Sequence, residues 1–471
     1  MKPDLSQTQL FLDDRWIAES CRIQRIWHEA QKYPEPILKA EYPWEYHAPV
    51  AFGTILKRQD KFQMWYVAWT RRHHMRPVVC YAESDDGVVW HKPMLGLQEV
   101  CGTTQNNVVI KAEEYDDGSI IDDISVISDP EDSDWPLKAL FWDGDPHRKG
   151  TGEPRRFGIW AARSKDGIQW EKIDKVLPRW GDRFNAISVK HKGRYVLFGR
   201  VPDMGHIYPQ GRVVSRIEST DLIHWTKPEL VLMADPEDSP HMEIYSATAF
   251  AYGDIMLGSI ERMHMSPDKL SPELIWSDDD GTTWRRSRNR NALIPWGPPG
   301  TFDSDWINLT TNNPITHHDQ LWIYYSGRSG AHKVQYPHNY GAIGLATLRI
   351  DGFCSIYGTN NAGWILTPPM TWPGGNLEVN VDPRRDITSH PMHTSNERLR
   401  VEVRDENNKP LAGFGIDDCH PITTNTSRFP ACYMPLRFRD DKTLQVLKGK
   451  RLRLQFELLD THLYAFRAGL T

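Results

Sequence analysis

The chain has 471 residues and a formal net charge of −6, with its charges scattered along the sequence, so we expect no nucleic acid as a partner. Its 39% hydrophobic residues suffice for sizeable cores, but no stretch approaches the roughly eighteen apolar residues that a membrane span needs. The first residues, Met1 to Gln7, contain no apolar segment of the kind found in signal peptides, so we expect a cytoplasmic protein without a membrane partner.

Strand-like apolar runs recur in five sets of three after residue 45, and the segment 24–32 before them is predicted to hold a short helix. Each set is predicted to form one antiparallel sheet. The sets are 50–56, 62–69 and 77–83; 123–128, 137–142 and 157–163; 186–190, 194–200 and 212–218; 243–252, 254–260 and 273–276; and 308–316, 320–326 and 342–349.

A short phrase follows the third strand in four of these sets. It reads Ser-Asp-Asp-Gly-Val-Val-Trp at 84–90, Ser-Lys-Asp-Gly-Ile-Gln-Trp at 164–170, Ser-Thr-Asp-Leu-Ile-His-Trp at 219–225 and Asp-Asp-Asp-Gly-Thr-Thr-Trp at 278–284. Because glycine tolerates positive φ and aspartate bonds nearby backbone, the phrase predicts a hairpin turn with an anchoring tryptophan. Repeats of four strands at such intervals are typical of a β-propeller, and the five sets predict five blades.

After Phe353 the pattern changes to alternating strands separated by turn clusters. Alternation is clearest at 398–404, 450–457 and 462–466, which predicts an antiparallel β-sandwich. The sequence therefore predicts a nearly all-β protein in three parts. These are an N-terminal segment at 1–45 that packs on the propeller, a five-bladed β-propeller at 46–355 and a C-terminal β-sandwich at 356–471.

Acidic residues stand at or near the first strand of every predicted blade. They are Glu45, Asp122, Asp123, Asp182, Glu243, Asp303 and Asp305. The innermost strands of a propeller line one channel, so we expect these side chains to converge at one end of it. Cleavage of a glycosidic bond needs two carboxyl groups, one as an acid and one as a base or nucleophile. Crowded like charges would also raise the pKa of one of them, as the acid requires.

Five predicted blades, a following sandwich and acids at the strand starts together resemble the five-bladed glycoside hydrolases. That group contains invertases and levanases, arabinanases and β-xylosidases, and mannoside phosphorylases, and the resemblance is strongest for the invertase-like members. Their motifs Trp-x-Asn-Asp-Pro-Asn-Gly, Arg-Asp-Pro and Glu before Cys do not stand intact here. For the first motif the nearest position is Glu45 or Asp14, and for the second it is Asp123 or the pair Asp129-Pro130. For the third motif it is Glu243.

The resemblance implies a glycosidase that removes a terminal sugar, such as a furanoside, from an oligosaccharide or glycoside. The length of the loops, which would narrow the channel to a pocket, predicts exo action. We assign Glu45 as base or nucleophile, Asp123 as an orienting carboxylate and Glu243 as general acid, with Asp182 and Asp303 as reserves. The side chains expected to bind the substrate are Trp44, Asp182, Arg183, Arg200, His241, Asp303 and His332.

Other functions stay open at this level. A phosphorylase of the same fold would use phosphate and need basic residues beside the acids. A non-catalytic propeller would bind a glycan through the same acids and through tryptophan, and a protein-interaction scaffold is a third alternative. No loop of the Asp-x-Asp-x-Asp-Gly kind indicates a structural calcium ion, so we expect no metal and no cofactor. The oligomeric state, a homo-oligomer included, is open.

Overall fold

The computed structural model describes residues 3–46, 48–69, 77–112, 120–144, 157–178, 180–200, 211–331, 340–383, 397–424, 426 and 433–469. This part of the chain is nearly all β-structure. Its helices are short 3-10 turns at Asp14–Trp16, Pro43–Glu45, Arg439–Asp441 and Leu444–Leu447. None of the described helices has the length and apolar character needed to cross a membrane.

The N-terminal segment contributes edge strands to sheets formed later in the chain. Its strands, numbered in chain order, are β1 (Gln9–Leu10), β2 (Glu19–Cys21), β3 (Ile23–Trp27) and β4 (Gln31–Lys32). The predicted helix at 24–32 is therefore wrong. The backbone of β3 pairs with Cys354–Gly358 and that of β4 with residues 346 and 347, so strand pairing overrides a weak local preference for helix.

Five antiparallel meanders follow. The first has β5 (Ala48–Arg58), β6 (Lys61–Trp69), β7 (Val78–Ser84) and β8 (Val108–Ile110); the second has β9 (Ile120–Ser128), β10 (Leu137–Gly144), β11 (Phe157–Ser164) and β12 (Glu171–Pro178). The third has β13 (Phe184–Ala186), β14 (Tyr195–Gly199), β15 (Val214–Ser219) and β16 (Glu229–Leu232); the fourth has β17 (Met242–Tyr252), β18 (Ile255–His264), β19 (Lys269–Ser277) and β20 (Arg285–Arg286). The fifth has β21 (Trp306–Leu309), β22 (Ile315–His317), β23 (Gln320–Arg328) and β24 (Gly341–Arg349), with β4 as its outer strand.

The first strands of these meanders lie beside one another. Strand β5 contacts β9, β9 contacts β13, β13 contacts β17, and β21 contacts β5. The fourth and fifth meanders are also joined by one parallel pair, Leu270 with Trp306. Two predicted first strands differ from the structure. Strand β13 ends at Ala186, where the sequence suggested a beginning, and the strand predicted at 308–316 is divided into β21 and β22. The first strands of the five meanders are therefore neighbours in the structure.

Two further antiparallel sheets form the C-terminal part. Their strands are β25 (Cys354–Gly358), β26 (Gly363–Leu366), β27 (Met370–Thr371), β28 (Asn376–Asp382), β29 (Arg398–Asp405), β30 (Ile422–Thr423), β31 (Met434–Pro435), β32 (Arg451–Leu459) and β33 (Thr461–Gly469). One sheet has the order β3-β25-β33-β28-β31 with β1 beside β33, and the other β2-β26-β32-β29-β30 with β27 beside β32. Both contribute to one hydrophobic core, in which the rings of Phe456 and Phe466 are 5.7 Å apart.

The repeated phrase forms the predicted turn. In the second copy, Ser164 Oγ accepts the N–H of Gly167 at 2.8 Å, and Asp166 Oδ1 accepts two further backbone N–H groups at 2.8 and 2.9 Å. Trp170 Nε1 donates to the Gly167 carbonyl at 3.0 Å. The first and third copies repeat these contacts. In the fourth copy Ser277 takes the serine role, so that copy begins one residue earlier than the sequence suggested.

Candidate active site

A buried arginine links the second, third and fourth meanders. Arg183 directly precedes β13, and its Nη1 lies 3.1 Å from Asp123 Oδ1 in β9 while its Nη2 lies 2.8 Å from Glu261 Oε1 in β18. The guanidinium also lies 4.2 Å from the ring centre of Phe52 in the first meander. We call Asp123, Arg183 and Glu261 the buried triad, since each side chain is at most 2% exposed.

The environment fixes the geometry of the triad. Asp123 Oδ2 accepts the backbone N–H of Phe184 at 3.1 Å, so both of its oxygens are occupied. Burial raises the pKa of Asp123 well above its usual range, with Arg183 opposing and Asp122 and Asp182 adding to the rise. Burial disfavours the charge on Arg183, but the two carboxylates more than offset this and raise its pKa. Asp123 is therefore a fixed group that a substrate does not reach directly.

Next to the triad, two arginines flank a tyrosine. The guanidinium of Arg200 lies 5.0 Å from the ring centre of Tyr245, and that of Arg212 lies 5.5 Å from it. The same ring packs edge-on against Trp306, with 5.4 Å between ring centres. Burial raises the pKa of Tyr245 to about 12, with Arg200 opposing and Asp182 and Asp122 contributing.

Each of these arginines holds a carboxylate that solvent can reach. Arg200 forms an ion pair with Asp182, whose side chain is 49% exposed. Arg212 forms an ion pair with Glu243, whose side chain is 18% exposed. Asp122, a third acid that is partly exposed, accepts the Nε1–H of Trp69 at 3.1 Å. We call Asp122, Asp182, Arg200, Arg212, Glu243 and Tyr245 the mouth cluster.

The structure thus brings together six of the residues that the sequence singled out. These are Asp122, Asp123, Asp182, Arg183, Arg200 and Glu243. Sequence reasoning missed Glu261, Arg212 and Tyr245. Glu261 lies in the middle of β18, the second strand of the fourth meander. The acids selected from the sequence were those near the starts of first strands. Tyr245 stands two residues after Glu243 in the same strand, and an aromatic residue at that distance from a candidate acid was a usable signal.

Glu45 and Trp44 lie elsewhere, in the 3-10 turn that precedes the first meander. Glu45 is fully buried and accepts hydrogen bonds from Tyr66 Oη at 2.5 Å, from Lys92 Nζ at 3.0 Å and from two backbone N–H groups. Trp44 is buried as well and donates its Nε1–H to Asn107 Oδ1 at 2.9 Å. These described contacts share no residue with the triad or the mouth cluster.

Asp303 is also apart from the cluster. It accepts hydrogen bonds from Lys32 Nζ at 2.7 Å, Tyr325 Oη at 3.0 Å and Thr301 Oγ1 at 2.8 Å, so it ties strand β4 to the fifth meander. His241 is exposed in the turn before β17, with a φ of 67°. His332 lies outside the described residues. Within the described ranges, no group of three His, Cys, Asp or Glu side chains is arranged to hold a metal ion.

No protein-family model and no curated protein matches the chain. Solved structures with a similar fold include an N-acetylgalactosamine deacetylase from F. plautii in complex with blood group B trisaccharide, at 17% identity and a TM-score of 0.49, covering 68% of this chain and 95% of that one. A β-1,2-mannobiose phosphorylase from Listeria innocua matches at 12% identity and a TM-score of 0.47, covering 69% and 97%. A glycosyl hydrolase from Bacteroides ovatus matches at 12% identity and a TM-score of 0.43, covering 74% and 94%.

Proposed function

We propose that the protein is a glycosidase that cleaves a sugar from a glycan at the mouth cluster. The observation that carries this proposal is the pair of accessible carboxylates, Asp182 and Glu243. Each is held by an arginine within 5.5 Å of the same buried tyrosine ring, so both belong to one site. Two carboxyl groups at one site are the chemical requirement for glycosidic cleavage.

In this proposal Glu243 is the general acid and Asp182 is the second carboxylate, in place of Glu45. Glu243 protonates the leaving glycosidic oxygen, and Asp182 acts on water or on the anomeric carbon. Because Glu243 is paired with Arg212 in the structure, the acid role requires a bound sugar to separate this ion pair. The ring of Tyr245 offers an apolar edge beside both groups.

The buried triad acts as the positioning element. Asp182 is the chain neighbour of Arg183, whose guanidinium is clamped between Asp123 and Glu261. Fixing Arg183 therefore fixes the backbone that carries Asp182. Asp123 keeps the orienting role that we assigned to it from the sequence, and acts through Arg183.

We further propose that the five meanders are the five blades of a propeller related to the invertase-like enzymes. The sequential contacts of β5, β9, β13 and β17, and the contact of β21 with β5, support this arrangement. An exo-acting mode on a terminal furanoside remains part of the same proposal, as do the cytoplasmic location and the three-part division at residues 45 and 355.

A phosphorylase is the second candidate, because arginines stand beside both proposed carboxylates. The test is a screen of aryl glycosides and short oligosaccharides, with and without phosphate, on the wild type, on Glu243→Gln and on Glu171→Gln. Glu171 is a matched control, since it too forms an ion pair with an arginine, Arg163, at 2.6 Å, but in the second meander.

We expect the wild type and Glu171→Gln to release sugar without phosphate, and Glu243→Gln to be slower by roughly 10²–10⁴-fold, the usual contribution of a general acid. Release that depends on phosphate would favour the phosphorylase. Equal rates for wild type and Glu243→Gln would contradict the assigned acid. Glycan binding by all three variants without any release would identify a non-catalytic glycan-binding protein.

A further inference from the structure

A further arginine stands beside the mouth cluster. Arg328 is the last residue of β23, and its guanidinium lies 4.4 Å from the ring centre of Trp306. Trp306 in turn packs against Tyr245 of the mouth cluster. The stacking on Trp306 holds the planar guanidinium in one orientation, and Trp306 alone separates it from the Tyr245 ring.

Among the described residues, Arg328 has no carboxylate partner. Its Nε and Nη2 atoms are buried and make no hydrogen bond there. The neighbouring acid Asp305 is already occupied, by Lys269 Nζ at 2.9 Å, Ser304 Oγ at 2.7 Å and the N–H of Gly330 at 2.8 Å. Asp268 acts on Arg328 through its charge, which raises the pKa of the guanidinium, but the two side chains form no ion pair. Arg328 thus differs from Arg200 and Arg212, which both hold a carboxylate.

The charge of Arg328 is also poorly compensated. Burial lowers its pKa, although Tyr245, Asp268 and Asp305 oppose this effect. For Arg200, by contrast, Asp182, Tyr245 and Asp123 together outweigh the effect of burial, and the pKa is raised. A guanidinium stays charged in proteins, and a buried donor without a partner carries a desolvation cost. An anionic group of a ligand would remove that cost.

We propose that Arg328 and Trp306 form a subsite for a sugar that carries an anionic oxygen group, either carboxylate or sulfate. This inference rests on the proposed function and narrows its substrate class. The planar fork of Arg328 binds two oxygens of the anionic group, and the sugar ring lies beside the aromatic pair Tyr245 and Trp306. The hydroxyl oxygens of a neutral sugar can accept these N–H groups, but they leave the charge of Arg328 uncompensated.

The test is calorimetric titration of the full chain with D-galacturonate, D-glucuronate, glucose 6-sulfate, D-galactose, D-glucose and inorganic phosphate. The variants are Arg328→Gln, Arg328→Lys and, as a matched control, Arg453→Gln. Arg453 also has a buried Nε without a described hydrogen-bond partner, but it lies in β32 of the C-terminal part. Thermal unfolding of each variant shows whether it is folded. If Arg328→Gln does not fold, Arg328→Lys serves as the test variant in its place.

We expect at least one acidic sugar to bind about tenfold or more tightly than its neutral counterpart, as charge-assisted hydrogen bonds imply. Arg328→Gln should abolish that preference, Arg328→Lys should weaken it by losing the planar fork, and Arg453→Gln should keep it. Equal binding of acidic and neutral sugars would overturn the inference. So would tight binding of phosphate with no preference for acidic sugars, which would place the anion on a co-substrate.

The two proposals fail in different ways. If neutral glycosides are cleaved by the wild type and by Arg328→Gln at the same rate, and acidic sugars have no advantage, the anionic subsite is wrong and the glycosidase stands. If the preference for acidic sugars depends on Arg328 but no glycoside is cleaved, the subsite stands and the proposed catalysis is wrong.

Discussion

Glu45 and Asp123 are both buried carboxylates that pair with a cation, but they differ in how many meanders their contacts join. Glu45 bonds Lys92 at 3.0 Å and Asp123 bonds Arg183 at 3.1 Å; Glu45 also accepts two backbone N–H groups and Asp123 accepts one. All described contacts of Glu45 lie in the first meander and the segment before it. Those of Asp123 and its arginine reach strands of four meanders. Burial and pairing are therefore alike at the two acids, and the convergence of several sheets is what places Asp123, but not Glu45, at the candidate site.

The largest expected effect comes from removing the cation of the buried triad. Arg183→Met leaves Asp123 and Glu261 buried without their shared partner. Breaking a buried ion pair in this way costs about 3–5 kcal/mol of unfolding free energy. Urea unfolding of the variant beside the wild type measures the loss, and a loss below about 1 kcal/mol would mean that the triad contributes no more than a surface pair.

Lys92→Met makes the corresponding change at Glu45, with a smaller expected effect. Glu45 would keep the Tyr66 hydroxyl and two backbone N–H groups as donors. We expect a loss of about 1–3 kcal/mol, the cost of one missing partner for a buried polar group. Glycoside cleavage by the folded variant should match the wild type. A selective loss of cleavage would place the Glu45 region in the active site.

The smallest expected effect concerns the repeated turn, which is remote from both acids. Ser164→Ala removes the oxygen that accepts the Gly167 N–H at 2.8 Å. The loss should be about 0.5–1.5 kcal/mol, and Ser219→Ala should give a similar value because the third copy makes the same contact. Chemical denaturation measures both, and clearly unequal losses would mean that the copies are not equivalent.

The repeated strands and turns could be predicted from the sequence because they depend on local chemistry. Alternating apolar residues and the serine, aspartate and tryptophan of each turn act within a few residues of one another. Segment 24–32 could not be predicted in this way, since β3 pairs with a strand more than 300 positions later. The same reason explains the missed partner Glu261, which meets Arg183 across 78 positions.

For the candidate site, the sequence indicated residue types but not which of them converge. Glu45 and Asp123 occupy equivalent places in the sequence pattern, each near a predicted first strand. Their separation follows from the 3-10 turn Pro43–Glu45, which directs Glu45 toward Tyr66 and Lys92. A one-turn element of that kind leaves no periodic signal in the sequence.

Whether cleavage takes place at the mouth cluster is tested most directly by comparing Asp182→Asn with Glu45→Gln in one glycoside-cleavage assay. Both variants are first shown to be folded. Both substitutions replace a carboxylate by its amide, so size and shape are matched. We predict that Asp182→Asn loses at least about 100-fold in rate, as removal of a catalytic carboxylate implies, while Glu45→Gln keeps the wild-type rate. A wild-type rate for Asp182→Asn together with an inactive Glu45→Gln would contradict the account.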